Sequence, residues 1–232
     1  MKLSVVIPIH GRIELLSACL QSFSVSSVTP DEIIVVDDGN SEADAKKICL
    51  IANNFSATII RSEIRSGAAD ARNRGALCAT GDLIFFADAD ITIEENGLEL
   101  LIRALEQNQH AAFSYGDFML GKILMRGKKF SFAELTKTNY ISTMSLIKTS
   151  WFNGFDVTLL RFQDWDLWLS IAEKGGTGAY TPHTIFKTNS GGTMSSRIPR
   201  YLVLHQNWFQ WIPRVHAYTR ARKILFKKHG LS

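Results

Sequence analysis

Apolar residues follow two alternating rhythms through the first half of the chain. Leu3–Ile9 is a short β-branched and apolar run closed by Pro8 and Gly11, the pattern of a strand buried on both faces. Leu15, Leu16, Ala18, Cys19, Leu20 and Phe23 then form one stripe at helical spacing, which predicts a helix over 13–23. Residues 32–36 read as a second buried strand, set off by the turn Thr29-Pro30-Asp31. Ser41 opens a second helix that runs to about Asn54, with Ser41 and Asp44 at capping spacing. A third strand over 57–60, a helix over 68–79 ended by Gly81, a fourth strand over 83–87 and an amphipathic helix over 94–108 complete the series.

Strands of continuous apolar character alternating with helices predict a mostly parallel sheet covered on both faces, an α/β fold. Such sheets bind ligands beyond the carboxyl ends of their strands. His10-Gly11-Arg12, Asp37-Asp38-Gly39-Asn40 and Asp88-Ala89-Asp90 each follow an apolar strand directly, so the topology should gather them on one edge. The second half is less regular. Residues 111–119 and 122–130 read as paired strands around Gly121, 142–147 as a further strand, and 164–173 as a short helix. Residues 190–197 read as a polar, Gly-rich loop, and the chain from Ile198 onward as helix interrupted at Pro213.

Composition narrows the class. The 232 residues, 46% hydrophobic and 21% charged, fit one globular domain with a self-sufficient core. Cys19, Cys49 and Cys78 lie in apolar segments with no C-x-x-C spacing, so buried, reduced thiols and a cytoplasmic setting are expected. Pro8 cuts the first apolar run too short for a secretory leader, and no run reaches the ~18 apolar residues of a membrane span. The net charge of +4 is uneven. Glu173 is the last acidic residue, and ten Lys and Arg follow it, which leaves the first 173 residues at −6. Trp208, Phe209, Trp211, Tyr218, Ile224 and Phe226 interleave with Arg214, Arg220, Arg222, Lys223, Lys227 and Lys228 in this tail. A basic, aromatic segment fits either an anionic membrane surface, placing the protein peripherally on the inner face of the cell membrane, or a helix packed on the domain. Nucleic acid is not expected, because no recognised module accompanies the charge.

Asp88 and Asp90 stand at i and i+2 after an apolar strand, so an extended backbone points both to one face. Two adjacent carboxylates suit a hard divalent cation such as Mn²⁺ or Mg²⁺, with open positions for phosphate oxygens. The alternative is a solvated turn. Small Ala89 leaves room for a ligand. Of Asp37 and Asp38, one could accept a hydrogen bond from a base while the other holds the loop; both could equally serve the turn before Gly39.

These segments together resemble the family 2 glycosyltransferases. Ser4-Val5-Val6-Ile7-Pro8, then Ile34-Val35-Val36-Asp37-Asp38-Gly39-Asn40-Ser41, Gly67-Ala68-Ala69-Asp70-Ala71-Arg72-Asn73-Arg74-Gly75, the stretch from Gly81 to Asp90, Gly154-Phe155-Asp156 and Gln163-Asp164-Trp165-Asp166-Leu167-Trp168 occur in the family's order. The resemblance spans roughly residues 3 to 195. It implies a GT-A fold with a Rossmann-like sheet, a smaller mixed acceptor-side region, and a C-terminal helical tail. The implied division is 1–110 for nucleotide-sugar binding, 111–196 for acceptor binding and catalysis, and 197–232 for the tail.

The resemblance also implies roles. Pro8, His10, Arg12, Asp37, Asp38, Arg65, Gly67, Arg72, Asp88 and Ala89 would hold a nucleotide-sugar, with Asp38 reading uracil. Asp88 and Asp90 would hold the metal, and Asp164 would be the general base of an inverting transfer to a glycan or lipid-linked acceptor. Trp165, Asp166, Thr193, Met194, Ser195 and Arg197 would serve the acceptor or a lid, and self-association is a further expectation. The chain departs from the family at His10-Gly11-Arg12, at Gln163 where an acid is usual, and at Lys187 and Asn189 where Arg and His are usual; Asn189 is therefore left out of the metal set. Rival readings are a sugar-nucleotide-binding protein without activity and a nucleotidyltransferase. His10-Gly11-Arg12 is sparse for holding a triphosphate, and no G-x-G-x-x-G follows the first strand to favour a dinucleotide enzyme.

Overall fold

The computed structural model describes residues 1–188 and 212–231. Among these, nine strands form one sheet. β1 (Leu3–Ile9) lies between β2 (Glu32–Asp38) and β4 (Leu83–Phe86), and β3 (Thr58–Ser62) flanks β2; all four are parallel. Beyond β4 the sheet turns mixed. β8 (Leu146–Lys148) and β6 (Ala111–Leu120) follow in antiparallel steps. Then β9 (Thr177–Thr188) runs parallel to β6, and β5 (Ile91–Ile93) closes that edge. β7 (Ile123–Met125) makes a hairpin on β6 around Gly121.

Strand alternation sorts the apolar residues into two cores, one per face. Val5, Ile7, Val35 and Phe85 meet α1 (Leu16–Ser24), α2 (Glu42–Asn53) and α4 (Gly97–Gln107). Val6, Ile34, Val36, Ile84 and Phe86 meet α3 (Ala68–Cys78) and α6 (Gln163–Glu173). A one-turn helix, α5 (Phe132–Leu135), packs beside α6. α3 sits close because Gly75 faces the sheet: a Cβ there would come 2.3 Å from Val6 Cγ1. The predicted cap of α2 is present, with Ser41 Oγ accepting the Asp44 N–H at 3.2 Å.

Several expectations are corrected. Residues 13–15 are a 3₁₀ turn, so α1 begins later than its stripe suggested. The third strand runs to Ser62, the strand of the 142–147 region begins only at Leu146, and only Ile123–Met125 of 122–130 pairs with β6. β9, β5 and α5 carry no periodic signal. β9 contains Gly178, Pro182 and His183 and follows β6 through bulges, which breaks its alternation. Cys19 is buried, but Cys49 and Cys78 are exposed on the outer sides of their helices. Pro213 opens a helix, α7 (Pro213–Lys228), and sits in its first turn, where its missing N–H is not needed; the expected helix before it lies outside the described residues.

α7 lies against α6. Tyr218 stacks edge-on to Phe162 at 5.1 Å, and Phe226 to Trp165 at 5.6 Å. Beyond them Lys228 Nζ binds Asp156 at 2.6 Å and Asp166 at 2.7 Å, and His229 bridges Asp166 and Glu173 at 2.9 and 2.8 Å. Among the described residues no helix is long and apolar enough to cross a membrane.

Gly75→Val should push α3 off β1 and β2 and lower stability by about 2–3 kcal/mol, read from urea unfolding. An unchanged midpoint would show that the close approach is not needed.

Candidate active site

The loops after β1, β2, β3 and β4 meet over the carboxyl edge of the parallel strands. A buried asparagine pins two of them. Asn40 Oδ1 accepts the Gly11 N–H at 2.7 Å, while its Nδ2 donates to the Ile9 carbonyl at 2.9 Å and to Asp37 Oδ1 at 2.6 Å. Asp37 is therefore spent beneath the edge, with Arg61 Nε 3.5 Å from its Oδ2. Gly39 must be glycine. Its φ is +73°, and a Cβ would come 2.4 Å from the Arg65 backbone nitrogen.

Asp38 clamps the next loop. Its Oδ1 accepts from Ser66 N (2.9 Å), Ser66 Oγ (2.8 Å) and Arg74 Nη2 (2.9 Å), and its Oδ2 from Gly67 N (2.8 Å). Burial pushes this carboxyl's pKa up. The Ser66 and Gly67 hydrogen bonds and the Arg74 charge outweigh that and hold it below the usual range. The same bonds aim the N-terminus of α3 into the space above the strands.

Two guanidiniums face the Asp88-Ala89-Asp90 segment. Arg12, in left-handed backbone at φ 50°, donates Nη1 to Asp90 Oδ2 at 2.6 Å. Arg72 is buried on α3 and donates Nη2 to Asp88 Oδ1 at 2.5 Å. Its guanidinium lies 5.6 Å from the Phe155 ring, and its Nε makes no hydrogen bond among the described residues. Each carboxylate thus holds its own cation in this arrangement. Burial raises the Asp90 pKa, the Asp88 charge adds to that, and Arg12 offsets only part. Behind them Cys19 Sγ donates to the Asp88 carbonyl at 3.6 Å, and burial pushes its thiol pKa far up.

Asp88 and Asp90 offer two carboxylate donors to a divalent cation, each now paired to an arginine that a bound ion would displace. Among the described residues no third His, Cys, Asp or Glu joins the two, so the donor set is oxygen-only and incomplete. It opens onto a cleft where phosphate oxygens and water can fill the remaining positions. Two like charges, one of them half-buried and raised in pKa, gain most from such an ion.

The cleft is about 740 Å³. Pro8, His10, Arg12, Asp38, Arg65, Gly67, Arg72, Asp88, Ala89 and Asp90 all line it. The far wall comes from the second half of the chain: Leu120, Met144, Leu159, Gln163 and Thr188. Asp164 follows Gln163 in the first turn of α6. It is not that helix's cap, a place taken by Phe162 in left-handed backbone. Asp164 Oδ2 accepts Asn139 Nδ2 at 2.8 Å. Burial raises its pKa; the Trp165 N–H, the Arg72 charge and the Asn139 bond offset that in part.

Asp37, Trp165 and Asp166 are not brought to the cleft. Trp165 is buried with its Nε1 donating to the Leu135 carbonyl at 2.7 Å, and Asp166 is buried against Lys228 and His229. Thr193, Met194, Ser195 and Arg197 lie outside the described residues. Asn40, Ser66, Arg74 and Asn139 were missed by the sequence reading. Asn40 had a signal, standing next to the turn glycine. Asn139 had none, in an irregular segment far from Asp164 along the chain.

The sequence profile of Glycosyl transferase family 2 matches residues 4–163. An uncharacterized glycosyltransferase of Haemophilus influenzae is 26% identical over 197 residues, covering 79% of this chain and 65% of that protein. The uncharacterized glycosyltransferase YibD of Escherichia coli is 31% identical over 118 residues, 50% of this chain and 34% of its own length. The chain thus spans less than two thirds of these relatives. Among solved structures, S. aureus TarS 1-349 in complex with UDP-GlcNAc superposes with a TM-score of 0.70 at 17% identity, over 85% of this chain and 62% of that one. The mannosyltransferase PcManGT from Pyrobaculum calidifontis, in complex with GDP-Man and Mn²⁺, superposes at 0.67 and 17% identity, over 99% and 73%. The likeness shows that the α/β architecture is the expected GT-A fold.

Asp38→Asn should cost about 2–4 kcal/mol near pH 7 by removing a buried charge from Arg74 and from two backbone N–H groups. Because the folded carboxyl titrates below its unfolded value, its stabilisation is present above the unfolded pKa and is lost as pH falls through the folded one. Urea unfolding should therefore show the gap between wild type and variant narrowing in acid. A constant gap would count against the clamp.

Proposed function

The chain belongs to glycosyl transferase family 2, and we propose that it is an inverting glycosyltransferase that moves a sugar from a nucleoside-diphosphate donor to a hydroxyl of a glycan or lipid-linked acceptor. The observation that carries this reading is the meeting of Arg12, Asp38, Arg72, Asp88 and Asp90 in one cleft, with Asp164 beside its far wall. UDP and UDP-GlcNAc bound to S. aureus TarS favour a UDP-sugar as donor, while GDP-Man bound to PcManGT keeps a guanine nucleotide as the rival.

In this reading Pro8 and His10 bound the base pocket, and the remaining lone pair of Asp38 Oδ2 accepts a base N–H. Asp37 contributes indirectly, by holding Asn40. Arg65, Arg12 and the α3 N-terminus receive the diphosphate, where the helix dipole favours an anion. Ala89 leaves space over the strand end for the ribose. A Mn²⁺ or Mg²⁺ ion on Asp88 and Asp90 would neutralise the diphosphate as it departs. Arg12, which pairs with Asp90 in this structure, would turn toward the phosphates.

Asp164 takes the proton of the acceptor hydroxyl while that oxygen attacks the anomeric carbon opposite the diphosphate. One displacement with no covalent enzyme intermediate inverts the configuration. A carboxylate whose pKa burial has raised is a better base than an exposed one, and the nearby Arg72 charge favours its ionised form. Trp165 and Asp166 anchor α6, and so Asp164, from behind.

A thermal-shift panel of UDP-, GDP- and dTDP-sugars should show one donor stabilising the chain, and more so with Mn²⁺. No shift with any donor would overturn the reading. Asp164→Asn should keep that shift and lose transfer by about 10²–10⁴-fold; unchanged turnover would remove Asp164 from the chemistry. The rate should rise with pH through a midpoint above the usual carboxylate range, because the base must be deprotonated. Asn139→Leu, which deletes a donor that favours the charged form, should move that midpoint higher still.

A further inference from the structure

The two faces of α7 differ in charge and in partners. Val215, Thr219 and Leu225 are buried toward the domain. His216, Arg220, Lys223 and Lys227 line up on the opposite side at three- and four-residue spacing, all exposed. Lys228 and His229, at the end of the helix, are neutralised by Asp156, Asp166 and Glu173. Arg220, Lys223 and Lys227 form no ion pair among the described residues, and no acidic residue follows Glu173 to supply one. A cationic row is thus left facing outward beside Ile224, itself 50% exposed.

The loop that Lys228 grips adds a second exposed element. It starts at Asp156 and carries Val157 and Leu160, 52% and 86% exposed, both at the mouth of the cleft. Val157 and Leu160 are three residues apart on one loop, so two bare aliphatic side chains stand together at the cleft mouth. Exposed cations on α7 and bare aliphatic residues at an opening through which an acceptor must enter match the interface of an anionic bilayer. Headgroups would meet the cations, and the upper acyl region would meet Leu160 and Val157. A nucleic-acid partner would leave these aliphatic groups without a role.

We propose that the outer face of α7 and the 157–160 loop together dock on an anionic lipid bilayer and hold the cleft mouth against it. The proposal rests on the glycosyltransferase reading only for what the cleft does there: the acceptor it favours is a hydroxyl carried on a lipid anchor. Docking itself is independent of the chemistry.

The full chain should sediment with vesicles of phosphatidylcholine and phosphatidylglycerol and not with phosphatidylcholine alone. At about 1 kcal/mol for each cation near the surface, roughly fivefold in affinity, the triple variant Arg220→Gln, Lys223→Gln, Lys227→Gln should bind roughly a hundredfold more weakly. Leu160→Ser should lose about tenfold. Circular dichroism and the donor-induced thermal shift should be unchanged in the triple variant, which separates docking from donor binding. If the donor shift is absent while vesicle binding persists, the enzymatic reading fails and the surface stands. Equal binding to both vesicle types, no binding to either, or an undiminished triple variant would overturn the proposal. Retention of the wild type on RNA at physiological salt with no vesicle binding would reassign the row to nucleic acid.

Discussion

A guanidinium buried inside a protein must be neutralised, or it destabilises the fold by several kcal/mol. Arg72 imposes that requirement at the centre of this molecule. Gly75 brings α3 down onto β1 and β2, and this close seat buries Arg72 on the helix's inner side. Asp88 answers it directly from the end of β4, and Asp164 adds its charge from α6. The helix that supplies the cation belongs to the first half of the chain, and the proposed base belongs to the second. The Arg72 charge thus favours the ionised form of Asp164 from the other half of the chain.

The same logic explains why the carboxylates differ. Asp38 collects four hydrogen bonds and is driven toward the charged state, so it works as a fixed clamp. Asp90 and Asp164 are raised in pKa because burial outweighs their partners. A group held strongly ionised by the protein gains little from a further cation or proton. One that is under-compensated gains from a cation or a proton, which is the property that metal binding and base catalysis use. The proposed metal and base roles thus fall on carboxylates that burial leaves raised in pKa.

α6 needs support from behind to hold Asp164 in place, and α7 supplies it. Phe226 and Tyr218 pack on Trp165 and Phe162, and Asp166 points backward into Lys228 and His229. Two residues of the Gln163-Asp164-Trp165-Asp166 segment therefore serve the scaffold and one the cleft lining, although all four are neighbours in the chain. Adjacent residues on a helix point in different directions, so a motif read as a unit is split by the helix into separate duties.

By itself the sequence determined the parallel half of the fold and the strand ends where the polar clusters gather. Continuous apolar strands and striped helices are local signals, and the ligand edge follows from topology. Nearly every residue proposed for the nucleotide and metal lies where that rule puts it. Only the tertiary structure decided the far wall, the Asn139 contact to Asp164, the retirement of Asp37, Trp165 and Asp166 from the cleft, and the seat of α7. Each depends on pairing between distant segments, and in β9 on bulged register beside Gly178 and Pro182, where no periodicity survives to be read. Hydrophobic rhythm reports which face of an element is buried; it carries no information about which distant side chain will share that face.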